Sequence, residues 1–285
     1  MPAGTVTRVR ILVTNDDGIE SIGLHILARA MRPFGEVVIV APDREFSGAS
    51  AAVGALHELR PEVRRCHVEG IDHSWSVSGP PALCVMFSRL GAFGGPFDLV
   101  VSGINPGANV GRAVYHSGTV GAAITARNGG ISGVAVSQSV DGSVEGQGWD
   151  EMLIGLKWDT AAQVAASYVG SLVANMPASP VVANINVPNM DIGDLAGWRH
   201  ADIGSEPPNK VATARLEPRI GQPNVYNIEM SWGPSGLLNS GTDGRLLQDG
   251  YVSLTYVSRY SAEHRDDMAM VESGFMSQIG AGVSE

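Results

Sequence analysis

Residues 9–18 read VRILVTNDDG, and this stretch decides the fold. VRILVT (9–14) is a short β-rich apolar run closed by turn residues, the pattern of a strand buried on both faces. After it, Ile22, Ile26, Leu27, Ala30, Met31 and Phe34 recur at helical spacing, which predicts a helix from Ser21 to Phe34. Gly35 suits its C-terminus. EVVIVA (36–41) then reads as a second strand. A strand–helix–strand opening of this kind requires parallel pairing, so the fold class is α/β with a mostly parallel sheet.

Further elements extend the pattern. Segments 51–59, 62–69 and 73–78 read as short strands, expected antiparallel at one edge. GPPALCVMFSRL (79–90) starts with prolines and continues as a helix. DLVVS (98–102) and GVAVSQ (133–138) are buried strands, and SGTVGAAITARN (117–128) is a helix between them. Residues 139–149 are Gly- and Ser-rich and read as a mobile loop. A long helix is expected over 150–176 and a strand at VVANINVP (181–188). Beyond 190 the chain is rich in Gly, Pro and Asn, with GYVSLTYVS (250–258) as its clear strand. The expected organisation is one domain over 1–285, with a catalytic core at 8–190 and an extension with hairpins at 191–285.

Bulk properties narrow the function. The chain has 285 residues, 44% hydrophobic and 17% charged, enough for a full core. Its 29 Asp and Glu exceed 19 Lys and Arg, and no basic run interleaves with aromatics. Binding to a nucleic-acid duplex is therefore not expected. Cys66 and Cys84 have no metal-ligand spacing and read as buried or partly buried thiols of a reducing compartment. MPAGTVTRVRILV has no signal-peptide pattern, and no apolar run reaches the ~20 residues of a membrane span. A cytoplasmic protein is expected.

Ligands of an open parallel sheet bind outside the carboxyl ends of its strands. Three strands here end in polar, glycine-containing loops: Asn15-Asp16-Asp17-Gly18, Asp43 to Ser50, and Gly103 to Gly111. Adjacent carboxylates suit a hard divalent cation, which prefers oxygen ligands and relieves their mutual repulsion. NDDG alone is equally a turn in which an aspartate caps the next helix. Ser47, beside Gly48, offers a hydroxyl, and Asn105 a side-chain carbonyl; alone, each reads as an ordinary loop residue. Ser117-Gly118-Thr119 begins a helix, where free N–H groups favour an anion. His116, just before it, is a candidate general acid. A dinucleotide-dependent oxidoreductase is disfavoured, because NDDG stands where the glycine-rich pyrophosphate turn belongs.

In order along the chain, ILVTNDDGI (11–19), APDREFSGAS (41–50), DLVVSGINPGANVG (98–111), HSGTVGAA (116–123), NINVP (184–188) and GTDGRLLQDGYVSLT (241–255) resemble the motifs of the SurE (survival protein E) nucleotidases. The resemblance implies a Rossmann-like core with C-terminal hairpin and helical arms exchanged in homodimers or homotetramers. It implies hydrolysis of nucleoside 5′- and 3′-monophosphates with one Mg²⁺ or Mn²⁺ ion per subunit, held by Asp16, Asp17, Ser47 and Asn105. Asn15, Gly48, Asn109, Ser117, Gly118 and Thr119 are then the expected phosphate and substrate contacts. Asp16, Asp17 and His116 are the expected catalytic groups, with either water or an aspartate attacking phosphorus. A non-catalytic relative is the alternative. The family pattern is broken at Ile22, Pro80, Leu83, His116 and Thr125, which leaves substrate preference and oligomer packing open.

Overall fold

The computed structural model describes residues 8–54, 60–140, 153–205, 211–233, 236–258, 262 and 265–279. Its centre is a nine-stranded sheet formed by β1 (Arg10–Thr14), β2 (Glu36–Pro42), β3 (Val63–Val68), β4 (Ile71–Val77), β5 (Leu99–Pro106), β6 (Ser132–Gln138), β7 (Val182–Val187), β8 (Trp198–His200) and β11 (Val252–Tyr256). The spatial order is β3-β4-β2-β1-β5-β6-β7-β11-β8. From β4 to β7 every pairing is parallel. β3 is antiparallel to β4, and β11 is antiparallel to β7 while parallel to β8. β9 (Val211–Pro218) and β10 (Tyr226–Trp232) form a separate antiparallel hairpin.

Burial on both faces explains the uninterrupted apolar run Ile11–Val13 of β1. Ile11 and Val13 enter one core with Leu24, Leu27 and Met31 of α1 (Ile22–Met31) and Ala161 and Ala165 of α4 (Trp158–Ala174). Leu12 points the other way, to Val38, Val100, Val85 of α2 (Pro81–Arg89) and Ala122 and Ala126 of α3 (Gly118–Asn128). Helices thus cover both faces, in the doubly wound arrangement. The chain leaves β1 toward β2 on one side and returns to β5 on the other. A crevice opens at that reversal, at the carboxyl ends of β1 and β5.

Several boundaries differ from the sequence reading. α1 ends at Met31, and Arg32–Phe34 tightens into a 3₁₀ turn at Pro33, which cannot donate to a continuing α-ladder. Ile22 is 62% exposed; the buried stripe is Gly23, Leu24, Leu27, Ala28 and Met31. β4 pairs parallel with β2, so β3 alone is the antiparallel edge. Residues 51–54 form no strand, and 55–59 lie outside the described residues. The strand expected at 98–102 runs to Pro106, across an irregularity between Ser102 and Asn105. The helix expected over 150–176 is regular over 158–174, and 150–152 lie outside the described residues, as do 141–149. β8 and β11, from beyond residue 190, join the main sheet. The rest of that region holds the β9–β10 hairpin, α5 (Asp243–Gln248) and α6 (Ala269–Ile279). Cys66 and Cys84 are unbridged, the first half-buried and the second buried. No helix among the described residues is long and apolar enough to cross a membrane.

Candidate active site

Three loops are stitched together at the crevice. The Phe46 N–H donates to the Asp16 carbonyl at 2.7 Å, tying the β2 loop to the β1 loop. The Ser50 N–H donates to the His116 carbonyl at 3.1 Å, tying the same loop to the start of α3. The open pocket between them has a volume of about 570 Å³. Asp16, Asp17, Ser47, Asn105, Asn109 and His116 all line it, joined by Gly48 and Ser117. A second pocket of about 540 Å³, between α4 and the β11–β8 edge, is aromatic and contains no carboxylate.

Asp16 is buried and held from behind. The Thr119 hydroxyl donates to its Oδ1 at 2.5 Å and lies 3.3 Å from Asn105 Oδ1. Gly118 packs directly beneath it: a Cβ there would stand 2.7 Å from Asp16 Oδ2, so only glycine fits. Burial raises the Asp16 pKa, opposed by the Thr119 hydroxyl and by the N–H groups of Thr119 and Gly118. The start of α3 is therefore spent on stabilising a carboxylate. Asp17 has less support, from its own backbone N–H and the Asn15 side chain. Burial first, then the charges of Asp16 and Glu45, push its pKa up to about 8. Its Oδ2 is buried without a hydrogen-bond partner.

That orphaned oxygen tests the fit of a cation. Among the described residues no group of three or more His, Cys, Asp or Glu side chains is gathered for a metal. The donor set is instead two carboxylates with a neutral hydroxyl and a neutral amide oxygen, all around one pocket. Such oxygen donors suit Mg²⁺ or Mn²⁺, and a divalent charge would remove the repulsion that raises Asp17. The residues present fit the ion.

The expected anion contacts divide. Gly48, Asn109 and Ser117 line the pocket. Asn15, Gly118 and Thr119 stand behind it. Asn15 is fully buried, its Nδ2 donating to the Gly18 carbonyl at 3.1 Å and its Oδ1 accepting the Gly18 N–H at 3.3 Å. It shapes the turn that presents the aspartates, because its amide is used up within that turn. Thr119 is fully buried with its hydroxyl on Asp16. Ser117 is the N-cap of α3, its Oγ accepting the Val120 N–H at 3.1 Å. Ser47 is exposed and donates to Glu45 at 2.7 Å.

Sequence reasoning missed Glu45, which lines the pocket. It also missed what holds Asn109. The Asn109 N–H donates to Asn186 Oδ1 at 2.7 Å, and its carbonyl accepts from Asn184 and Asn186 at 2.9 and 3.3 Å. Its Nδ2 donates to Ser137 at 2.8 Å. The available signal was the pair of asparagines inside the apolar strand VANINV, since buried amides need partners.

Fold and site together define a class: doubly wound α/β enzymes with an oxygen-rich acidic pocket at the sheet's switch point. Within that class the chain belongs to the SurE family, whose model, "Survival protein SurE", matches residues 11–210. It is 35% identical over 250 residues to a protein of Haemophilus influenzae named 5′-nucleotidase SurE, covering 87% of this chain and 90% of that one. It is 36% identical over 251 residues to the 5′-nucleotidase SurE of Legionella pneumophila, covering 87% and 90%. The crystal structure of the SurE protein from Aquifex aeolicus superposes with a TM-score of 0.70 at 25% identity, covering 94% of this chain and 99% of that one.

Proposed function

We propose that the chain is a divalent-metal-dependent phosphomonoesterase that hydrolyses nucleoside 5′- and 3′-monophosphates to nucleoside and phosphate. The observation that carries this reading is the meeting of Asp16, Asp17, Ser47 and Asn105 around one pocket, with one Asp17 oxygen buried and unpartnered. The names of the relatives support the substrate class.

Asp16, Asp17, Ser47 and Asn105 would hold one Mg²⁺ or Mn²⁺ ion, which when bound supplies Lewis-acid polarisation of a phosphoryl oxygen. The remaining work belongs to the chain. Thr119 and the N-terminus of α3 hold Asp16 in place and oppose the effect of burial on its charge. Asn109 and Ser117 face phosphate oxygens and orient the phosphorus for in-line attack by water or an aspartate. His116, exposed at the pocket wall, delivers a proton to the departing nucleoside oxygen. The substrate is a small molecule, with no membrane or nucleic-acid duplex involved, and the subunits assemble as a homodimer or homotetramer through the C-terminal hairpin and helix. The unbridged cysteines support a cytoplasmic setting.

The test is release of phosphate from AMP and para-nitrophenyl phosphate, with and without Mn²⁺. Turnover that needs the ion is expected, and no turnover with any divalent ion would overturn the reading. Trapping a phosphorylated aspartate would decide between the two attacking groups.

A further inference from the structure

The motif GTDG (241–244) has no role in the site as described so far, yet its aspartate is fully buried. Among the described residues, its carboxylate meets backbone N–H groups. Asp243 Oδ1 accepts the N–H of Gly204 at 3.0 Å and of Gly244 at 2.8 Å. Oδ2 accepts the N–H of Gly111 at 2.9 Å, across 132 residues of sequence. The Asp243 N–H in turn donates to the Asp202 carbonyl at 2.8 Å. One carboxylate thus joins three segments, two of them in the C-terminal region.

Gly111 begins the 3₁₀ turn Gly111–Tyr115 with a φ of +53°, a left-handed conformation that a side chain would resist. That turn carries Ala113 of the pocket wall, and the Ala113 carbonyl accepts the N–H groups of both His116 and Ser117 at 3.1 Å. Ser117 caps α3, and Thr119 on its first turn holds Asp16. A series of hydrogen bonds joined by short stretches of chain therefore runs from Asp243 through Gly111, Ala113, Ser117 and Thr119 to Asp16. A buried carboxylate that accepts three backbone donors is a strong anchor, because losing one acceptor leaves a donor desolvated and unpaired.

We propose that Asp243 is a positioning residue for the reaction: it locks the Gly111–Tyr115 turn, and through it sets where His116, Ser117 and the start of α3 stand against Asp16. The C-terminal region would then shape the site as well as extend the fold. The kinetic part of this inference rests on the phosphomonoesterase reading; the structural part does not.

Asp243→Asn is the variant of choice, because it keeps the shape and one acceptor while turning an NH₂ group on the Gly111 N–H. Leu246→Ala, in the same short helix and buried but outside the hydrogen bonds of the Asp243 carboxylate, is the control for simple destabilisation. Hydrolysis of para-nitrophenyl phosphate with Mn²⁺ should show kcat falling about 10–100-fold in Asp243→Asn with KM changed less, the loss expected when reacting groups shift by a fraction of an ångström. Leu246→Ala should keep near-normal kcat at a comparable fall in melting temperature. Amide hydrogen exchange should rise over residues 111–119 in Asp243→Asn alone. Equal kcat and exchange in Asp243→Asn and wild type, or the same losses in Leu246→Ala, would overturn the proposal. If Asp243→Asn does not fold, wild-type exchange decides. Residues 111–118 opening together with 243–248 supports the lock, and independent opening overturns it. An inactive wild type would defeat the functional reading and leave the exchange measurement to judge the lock.

Discussion

Asp16 and Asp17 are neighbours with opposite surroundings, and their difference predicts pH behaviour. Asp16 is supported by Thr119 and by α3, whereas Asp17 carries an unpartnered oxygen and a pKa pushed up to about 8 by burial and by the charges of Asp16 and Glu45. An unfolded aspartate ionises near 3.8. Between these values the folded chain holds a proton that the unfolded chain has lost, so stability falls as pH rises, and the fall ends above the folded value. In EDTA the melting temperature should decline from about pH 5 to pH 8, a slope to which Asp17 contributes and to which Asp16, also raised by burial, adds. Added Mn²⁺ should raise the melting temperature most at high pH, because binding expels the proton. Asp17→Asn should flatten the slope, leaving the part that Asp16 contributes; an unchanged slope in that variant would refute the assignment. Asp16→Asn tests the partner. It keeps an acceptor for Thr119 and removes a charge disfavoured by burial, so the melting temperature should hold while turnover drops at least about 100-fold, the scale of losing a preorganised charged group. Near-normal turnover would exclude Asp16 from the site.

At the scale of elements, α3 does two jobs: it is part of the core and it supports Asp16. Ser117 caps it, so Ser117→Ala should cost about 1 kcal/mol in urea unfolding. The same change removes a hydroxyl from the pocket and should raise KM for the phosphomonoester; a stability loss with unchanged kinetics would confine Ser117 to its capping role. This helix also shows why some features were legible and others were not. Local signals located it: serine at the cap, small residues on a buried face, Asn128-Gly129 at its end. β1 was legible because burial on both faces leaves an unbroken apolar run. β5 was cut short because Gly103 and Pro106 signal a loop, whereas the strand continues past its irregularity to pair Asn105 with Ser137. Ile22 was misplaced because periodicity defines an apolar stripe but cannot say how far it turns toward a sheet. The strand-end placement of Asp16, Asp17, Ser47 and Asn105 was legible, and the fold adds that all four line one pocket. Glu45, Asn184, Asn186 and Asp243 were not legible, because their roles arise from partners distant in sequence.

For the molecule as a whole, the unresolved physical problem is the β9–β10 hairpin. It forms its own two-stranded sheet, and such a ribbon is marginal in water by itself. Its register puts Tyr226 opposite Pro218, Ile228 opposite Leu216 and Met230 opposite Ala214, one apolar face. The alternate positions are polar, with Arg215 paired to Glu229 and Glu217. The apolar face is open, with Ile228 66% exposed, and α6 is open too, with Met270 86% and Phe275 61% exposed. A chain with net charge −10 stays soluble despite such patches only up to a point, and contiguous apolar faces of this kind mark protein contacts. Assembly of copies through these arms would bury them and stabilise the ribbon. Sedimentation equilibrium should therefore give a dimer or tetramer. Ile228→Lys with Met230→Lys places two charges on the face that assembly would bury while preserving the Arg215 pairs, and should shift the species to monomer with a lower melting temperature. The pocket residues lie at the strand ends of the main sheet and before α3, outside the hairpin, so monomers should retain Mn²⁺ binding. A monomeric wild type, or an oligomer indifferent to both lysines, would show that this face meets something other than a second copy.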